Sequence, residues 1–346
     1  MSGPIPKLLT GNIRLRPAQD HVRPATYAPE EGSDEPRIVI EERYIDGEPI
    51  QTVLLDSIPS QANRMEAGLY ELREVLGLPD VVVEYNGEKF SQWELPHRIF
   101  DAVIRDSLLN GDEFFKTSLG QELAVGKPAA LFKWAPNVLL FGGWNSHAQE
   151  LVGHLKAARV ERTVTSEIVG LEPKRVARTQ SRLDPTGIPG STRATPKYNI
   201  KKKFSELGLG NVAPGFRFLD VAIREARQLV TFTAIPWQRM GLPQKAQEVL
   251  FNLFLLALAQ LYEKGIYLRS GTHLYPANEE QTLTDPTTEK TFLIKTQIND
   301  IVGKINSLLQ ELPEEYRWEK SPLTLTPSPA LAEALSLREL ASKNQK

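Results

Sequence analysis

The chain has 346 residues, of which 41% are hydrophobic and 24% charged, with 41 basic residues against 43 acidic ones. That is the composition of an ordinary globular protein, two domains or one large elaborated domain, and its net charge of −2 selects no class of partner. With no cysteine there are no disulfides, thiolate metal sites or cysteine nucleophile, which fits a reducing compartment.

Met1 to Lys7 lacks the apolar core of a leader peptide, and the longest apolar run, Val249 to Ala259, contains Asn252. That run is short of the roughly 20 residues a spanning helix needs, so a cytoplasmic protein with no membrane contact is expected. Four prolines between Pro17 and Pro36 mark residues 1–36 as an N-terminal arm, locally basic at Arg14, Arg16 and Arg23. Ile38 and Ile40, the turn Asp46-Gly47, and Ile50 to Leu55 predict a hairpin.

A helix follows, with Pro59 in its first turn and Gly77 and Pro79 closing it. Ala62, Met65, Leu69, Leu72 and Leu76 form its apolar stripe, leaving Ser60 and Asn63 outward with Arg64 on the flank. Free N–H groups beside a hydroxyl, an amide and a guanidinium suit a sugar-phosphate backbone. The plainer alternative is that Ser57 or Ser60 only caps the helix. Val81 to Val83 reads as a strand, Pro96 to Leu109 as a helix, and Ala129 to Trp134 and Val138 to Phe141 as strands.

The window Gly153 to Lys203 holds twelve basic residues and four acidic ones, a local +8 that leaves −10 on the rest. It is rich in turn formers, as in Asp184-Pro185-Thr186-Gly187, and predicts exposed hairpins with an electrostatic footprint for a polyanion. The alternative is a solvated basic insertion. Phe216 to Thr233 fits either a helix or long strands. Pro243 to Lys264 predicts a largely buried helix, Gly265 to Tyr275 a strand, Thr296 to Leu312 a helix, and the rest a tail.

Phosphate-binding glycine loops, a dinucleotide fingerprint and a nucleophile elbow are all missing from the sequence. The histidines, at 21, 97, 147, 154 and 273, match no metal-ligand spacing; His147 and His154 share a helical face with Glu150 between them. Asp56 is either a general base for RNA cleavage or a capping group. No metal, cofactor or catalytic residue is expected.

Four segments carry a resemblance: Leu55 to Glu66 (LDSIPSQANRME), Phe141 to Ser146 (FGGWNS), Ser181 to Ile188 (SRLDPTGI) and Leu268 to Gly271 (LRSG). In that order the chain resembles the CRISPR-associated RAMP-superfamily protein that forms the backbone of the type I-U (I-G) Cascade-like surveillance complex. The resemblance implies an α+β fold, a ferredoxin-like, RRM-type palm with large basic insertions as thumb and finger elements. It divides the chain into the arm 1–36, palm 37–150, a basic thumb and finger region 151–215, palm 216–312 and a tail 313–346.

It also implies a non-catalytic subunit that polymerises head to tail along a CRISPR guide RNA, with the other subunits of the complex, and presents the guide to target DNA. Ser60, Gln61, Asn63, Arg64, Trp144, Asn145, Ser146, Arg178, Arg182, Lys201, Lys202 and Lys203 would contact the RNA. Gly142-Gly143 would let it approach a turn closely, while Trp144 could equally be core. Two alternatives stand beside this reading: a RAMP endoribonuclease using Asp56 or the His147/His154 pair, and a protein-only scaffold.

Overall fold

The computed structural model describes residues 5–29, 37–146, 158–189, 202–210, 212–278, 280–294 and 297–343, without the side chains of 178–182, 212–218 and 338–343. Its strands are β1 (Leu8–Pro17), β2 (Ile40–Ile45), β3 (Glu48–Asp56), β4 (Val81–Tyr85), β5 (Glu88–Ser91), β6 (Ser107–Leu109), β7 (Asp112–Glu113), β8 (Gly143–Trp144), β9 (Arg159–Val160), β10 (Val164–Leu171), β11 (Lys174–Arg182), β12 (Val212–Ala222), β13 (Ala226–Thr233), β14 (Ile266–Arg269), β15 (Thr272–Pro276), β16 (Thr282–Thr284), β17 (Thr291–Leu293) and β18 (Leu323–Pro327). Its helices are α1 (Ile58–Glu71), α2 (Arg73–Leu76), α3 (Ala102–Arg105), α4 (Ser118–Ala124), α5 (Pro128–Trp134), α6 (Pro136–Phe141), α7 (Ile235–Arg239), α8 (Gln244–Glu263), α9 (Ile298–Gln310) and α10 (Pro329–Lys343).

An antiparallel sheet runs β14-β15-β1-β13-β10-β3-β2, with β16 paired to β1 and β17 to β16. Alternate residues of its central strands, Leu9, Ile13 and Leu15 of β1 and Val230 and Phe232 of β13, are buried in the core shared with Met65 and Leu69 of α1 and Leu250 and Phe254 of α8. The opposite face combines ion pairs, Glu225 with Arg14 and Arg227 and Arg43 with Glu167, with a small apolar cluster of Ile45, Val169 and Leu171. A second sheet, β5-β4-β18-β6-β7, packs into the same core through Val81, Val83 and Leu325.

Four expectations are corrected. The N-terminal arm supplies β1, paired through eight residues with β13, because Leu9, Ile13 and Leu15 alternate with Thr10, Asn12 and Arg14. The segments read as strands at 129–134 and 138–141 are α5 and α6; Pro128 and Pro136 start them, and burial on nearly all sides removes the helical periodicity. Pro96 to Leu109 breaks into a 3₁₀ turn, α3 and β6. The tail contributes β18, parallel to β4, and α10.

The arm formed by β11 and β12 continues the adjacent strands β10 and β13 outward. It pairs with itself, apart from the bridge Val22↔Val221, among the described residues. Gly170 lies at its root, where a Cβ would meet Ile223 at 2.7 Å.

Candidate nucleic-acid interface

The β3–α1 junction forms as the sequence predicts: Ser57 is the N-cap and accepts a hydrogen bond from the Ser60 N–H at 3.4 Å, with Pro59 in the first turn. Asn63 is exposed and Ser60 half-buried. Gln61, expected at an RNA contact, is instead fully buried. Its Nε2 donates to Asp56 Oδ2 at 2.6 Å, and its Oε1 accepts from Ser166 Oγ at 2.9 Å and Gln228 Nε2 at 3.0 Å. Tyr262 Oη donates to Gln228 Oε1 at 2.8 Å, and burial raises the pKa of that phenol. This chain of bonds crosses β3, α1, β10, β13 and α8 and holds the amide inside the core, away from any ligand at the surface.

Arg64 is fixed by three bonds, from Nε to Asp56 Oδ2 at 3.0 Å, from one Nη to the Tyr267 carbonyl at 2.8 Å and from the other to the Leu268 carbonyl at 2.7 Å. On the β14–β15 hairpin, Arg269 lies 3.9 Å from Asp56 Oδ1 and donates to the Arg23 carbonyl at 2.9 Å. Arg23 in turn donates to Asp220 Oδ1 at 2.9 Å. Burial lowers the pKa of Arg269, Asp56 opposes that, and Arg64 and Arg23 add to it by repulsion.

The two carboxylates here, Asp56 and Asp220, are 1% and 2% exposed, whereas Arg23, Arg64 and Arg269 are 33%, 28% and 29% exposed. Negative charge is therefore sealed inside while three guanidiniums face outward, a fixed cationic surface at a helix N-terminus. The fourth resembling segment, around Arg269, thus meets the first. Sequence reasoning missed Arg23 and Arg269 as site residues, because only folding brings positions so distant in the chain together.

In the second resembling segment, Trp144 is 65% exposed and not core, and Ser146 is exposed. Asn145, expected to contact RNA, is buried: its backbone N–H donates to the Ala158 carbonyl at 2.9 Å and its side chain to the Ala124 carbonyl at 3.3 Å. The glycines before it serve internal packing. A Cβ on Gly142 would meet Arg162 Cγ at 2.7 Å, and one on Gly143 the Phe100 ring at 2.9 Å.

Beneath this turn Arg98 donates to both oxygens of Glu66, at 2.6 and 2.7 Å, and to the Gly142 carbonyl at 3.2 Å. Burial raises the pKa of Glu66 against the opposing pull of Arg98 and Asn137. Glu66 therefore ties α1 to the turn.

On the arm, Arg178 stands opposite Arg217 and Arg182 opposite Val212. Lys202 and Lys203 are exposed, and Lys201 lies outside the described residues. In the third segment Asp184 accepts from the N–H groups of Thr186 at 2.9 Å and Gly210 at 2.8 Å, tying the two sides of the arm together. The structure thus joins Ser60, Asn63 and Arg64 at one junction, and Trp144 with Ser146 and the arm cations stand on other elements.

His147, His154 and Glu150 lie outside the described residues, and among the described residues no cluster of His, Asp or Glu could hold a metal. No helix among them is long and apolar enough to cross a membrane.

Residues 9–175 match the family model described as CRISPR-associated protein GSU0053. No curated protein matches the chain. Among solved structures, a chain of a "CRISPR RNA-guided surveillance complex, pre-nicking" is 10% identical, with 95% of this chain and 98% of that chain covered at a TM-score of 0.35. Csc2 from Thermofilum pendens is 12% identical, with 89% and 76% covered at a TM-score of 0.30.

Proposed function

We propose, on the premise that residues 9–175 belong to the CRISPR-associated GSU0053 family, that this protein is the guide-RNA-holding backbone subunit of a type I-U (I-G) surveillance complex. Copies assemble head to tail on the guide, contact the other subunits of the complex and present the bases to target DNA. The strand order β15-β1-β13-β10, with α1 in the connection from β1 to β10 and α8 in that from β13 to β14, supports a ferredoxin-like palm. The self-paired β11–β12 ribbon is read as its thumb.

The observation that carries the reading is the junction where Arg23, Arg64 and Arg269 face outward over the buried Asp56 and Asp220. A subunit that holds many different guides needs contacts to phosphate and ribose and no base-specific hydrogen bonds. Guanidiniums already immobilised by carbonyls and carboxylates lose little freedom on meeting phosphates. Ser60, Asn63, Arg64, Arg178, Arg182 and Lys201 to Lys203 are the proposed backbone contacts, joined by Arg23 and Arg269. Asp56 hydrogen-bonds Gln61 and Arg64 and is shielded from solvent, which supports a positioning role over that of a general base.

Purified protein is expected to bind single-stranded RNAs of unrelated sequence with equal affinity and to leave them uncut. Arg269→Ala should lower the magnitude of the log–log salt slope by about 0.7, one phosphate contact. Affinity that follows sequence, or no binding at about 50 mM salt, overturns the reading.

A further inference from the structure

Beside the β8–β9 pair lies a cleft of about 870 Å³ whose lining includes Val125, Arg159, Arg162, Arg239 and Met240. Glu161, the acidic group of this lining, faces Arg239 at 3.3 Å, so Arg159 and Arg162 are left as excess positive charge. Among the described residues no carboxylate lies at ion-pair distance from Arg162. Its pKa is lowered by burial and by repulsion from Arg98, against attraction from Glu66. An incoming anion would relieve both effects.

Trp144 stands next to this cleft, paired in register with Arg159, whose guanidinium sits 5.9 Å from the indole centroid. The strand carrying it is rigid: Gly142 and Gly143 leave no room for a side chain, and Asn145 is bonded to Ala158 and Ala124. A large aromatic surface is thus held in water on a fixed support, with the Arg159 cation on one face and Arg162, without an ion-pair partner among the described residues, in the cleft beside it. That combination suits a base on the indole and its phosphate on a guanidinium.

We propose that Trp144 with the Arg159/Arg162 cleft is a nucleotide subsite, taking one unpaired residue of single-stranded RNA with its base stacked on the indole and its phosphate against Arg162. The subsite rests on the RNA-binding reading above but shares none of the Arg23, Arg64 and Arg269 contacts. No base-edge hydrogen bond is involved, so the subsite reads no sequence.

The test is direct because the other four tryptophans, Trp93, Trp134, Trp237 and Trp318, are buried or half-buried. Titration of the full chain with oligouridylate should quench the exposed indole, and Trp144→Phe should abolish that quenching and weaken binding by about threefold to tenfold. Arg162→Ala should keep the quenching and lower the salt slope by about 0.7. Both side chains are exposed, and unchanged thermal melting confirms intact folds.

Wild-type affinity and quenching in Trp144→Phe, with wild-type RNA binding intact, overturns the subsite alone. Absence of RNA binding by the wild type overturns the subsite together with the proposed function. Loss of self-association in Trp144→Phe without loss of RNA affinity makes this surface a protein contact and overturns the subsite.

Discussion

Asp80, 7% exposed between α2 and β4, accepts hydrogen bonds from Ser91 Oγ at 2.9 and 2.8 Å. Burial nonetheless raises its pKa from 3.8 to about 6, against the opposing bonds from Ser91, Val81, Gln92 and Tyr70. The folded state therefore holds this proton more tightly than the unfolded chain does. Its effect is absent below the unfolded pKa, grows as a loss of stability as pH rises from about 4 to about 6, and is constant above. Asp80→Asn should gain on the wild type by about 2 to 3 kcal/mol across that window in urea unfolding at the two ends. A pH-independent difference would show that the carboxyl titrates normally.

Glu66 and Arg98 follow a different logic, since each leaves the other buried and charged if removed. Glu66→Gln should cost about 3 to 5 kcal/mol by the same measurement, more than an exposed pair such as Lys116 and Glu113. A loss under about 1 kcal/mol would mean the pair is solvated in solution.

Among the elements, the β11–β12 ribbon is the most separable. Residues 178–217 carry eight basic and two acidic side chains, and the strands there pair with each other. Replacing 178–217 by an Asn-Gly turn, which suits a two-residue hairpin, should leave the thermal midpoint within a few degrees and weaken single-stranded RNA binding. Unchanged affinity and salt slope would remove the ribbon from the interface, and loss of folding would show that it supports the sheet.

The elements legible in the sequence were those with clean periodicity or punctuation. α1 and α8 have proline at one end and glycine near the other, and β2 and β3 flank Asp46-Gly47. β1 carries an equally clean alternation, but the proline-rich stretch after it obscured the signal. α5 and α6 are apolar on nearly every side, so periodicity could not separate helix from strand. At the site, Arg64 was legible from its place beside the junction. Gln61 was misread because a polar residue within an apolar stripe looks like an outward one until its buried partners, Ser166 and Gln228, are known.

At the scale of the whole molecule, charge segregation bears on the proposed assembly along RNA. The +8 window and the −10 remainder separate charge along the chain. RNA is expected to neutralise the basic side and allow copies to stack, so coexpression with a CRISPR array should give a ladder of RNA-dependent species by size-exclusion chromatography. RNase treatment should collapse the ladder to monomer, and a ladder that survives RNase would assign assembly to protein contacts.

The place of the first strand has a consequence for biosynthesis. Leu9 pairs with Phe232, and Arg16 with Tyr275, so the opening strand has no partner until most of the polypeptide has left the ribosome. At roughly 5 to 20 residues per second, Leu9 waits about 10 to 45 s for its neighbour to be synthesised. Throughout that interval its apolar residues lack their sheet partner, and the bond that ties Arg269 to the Arg23 carbonyl cannot form.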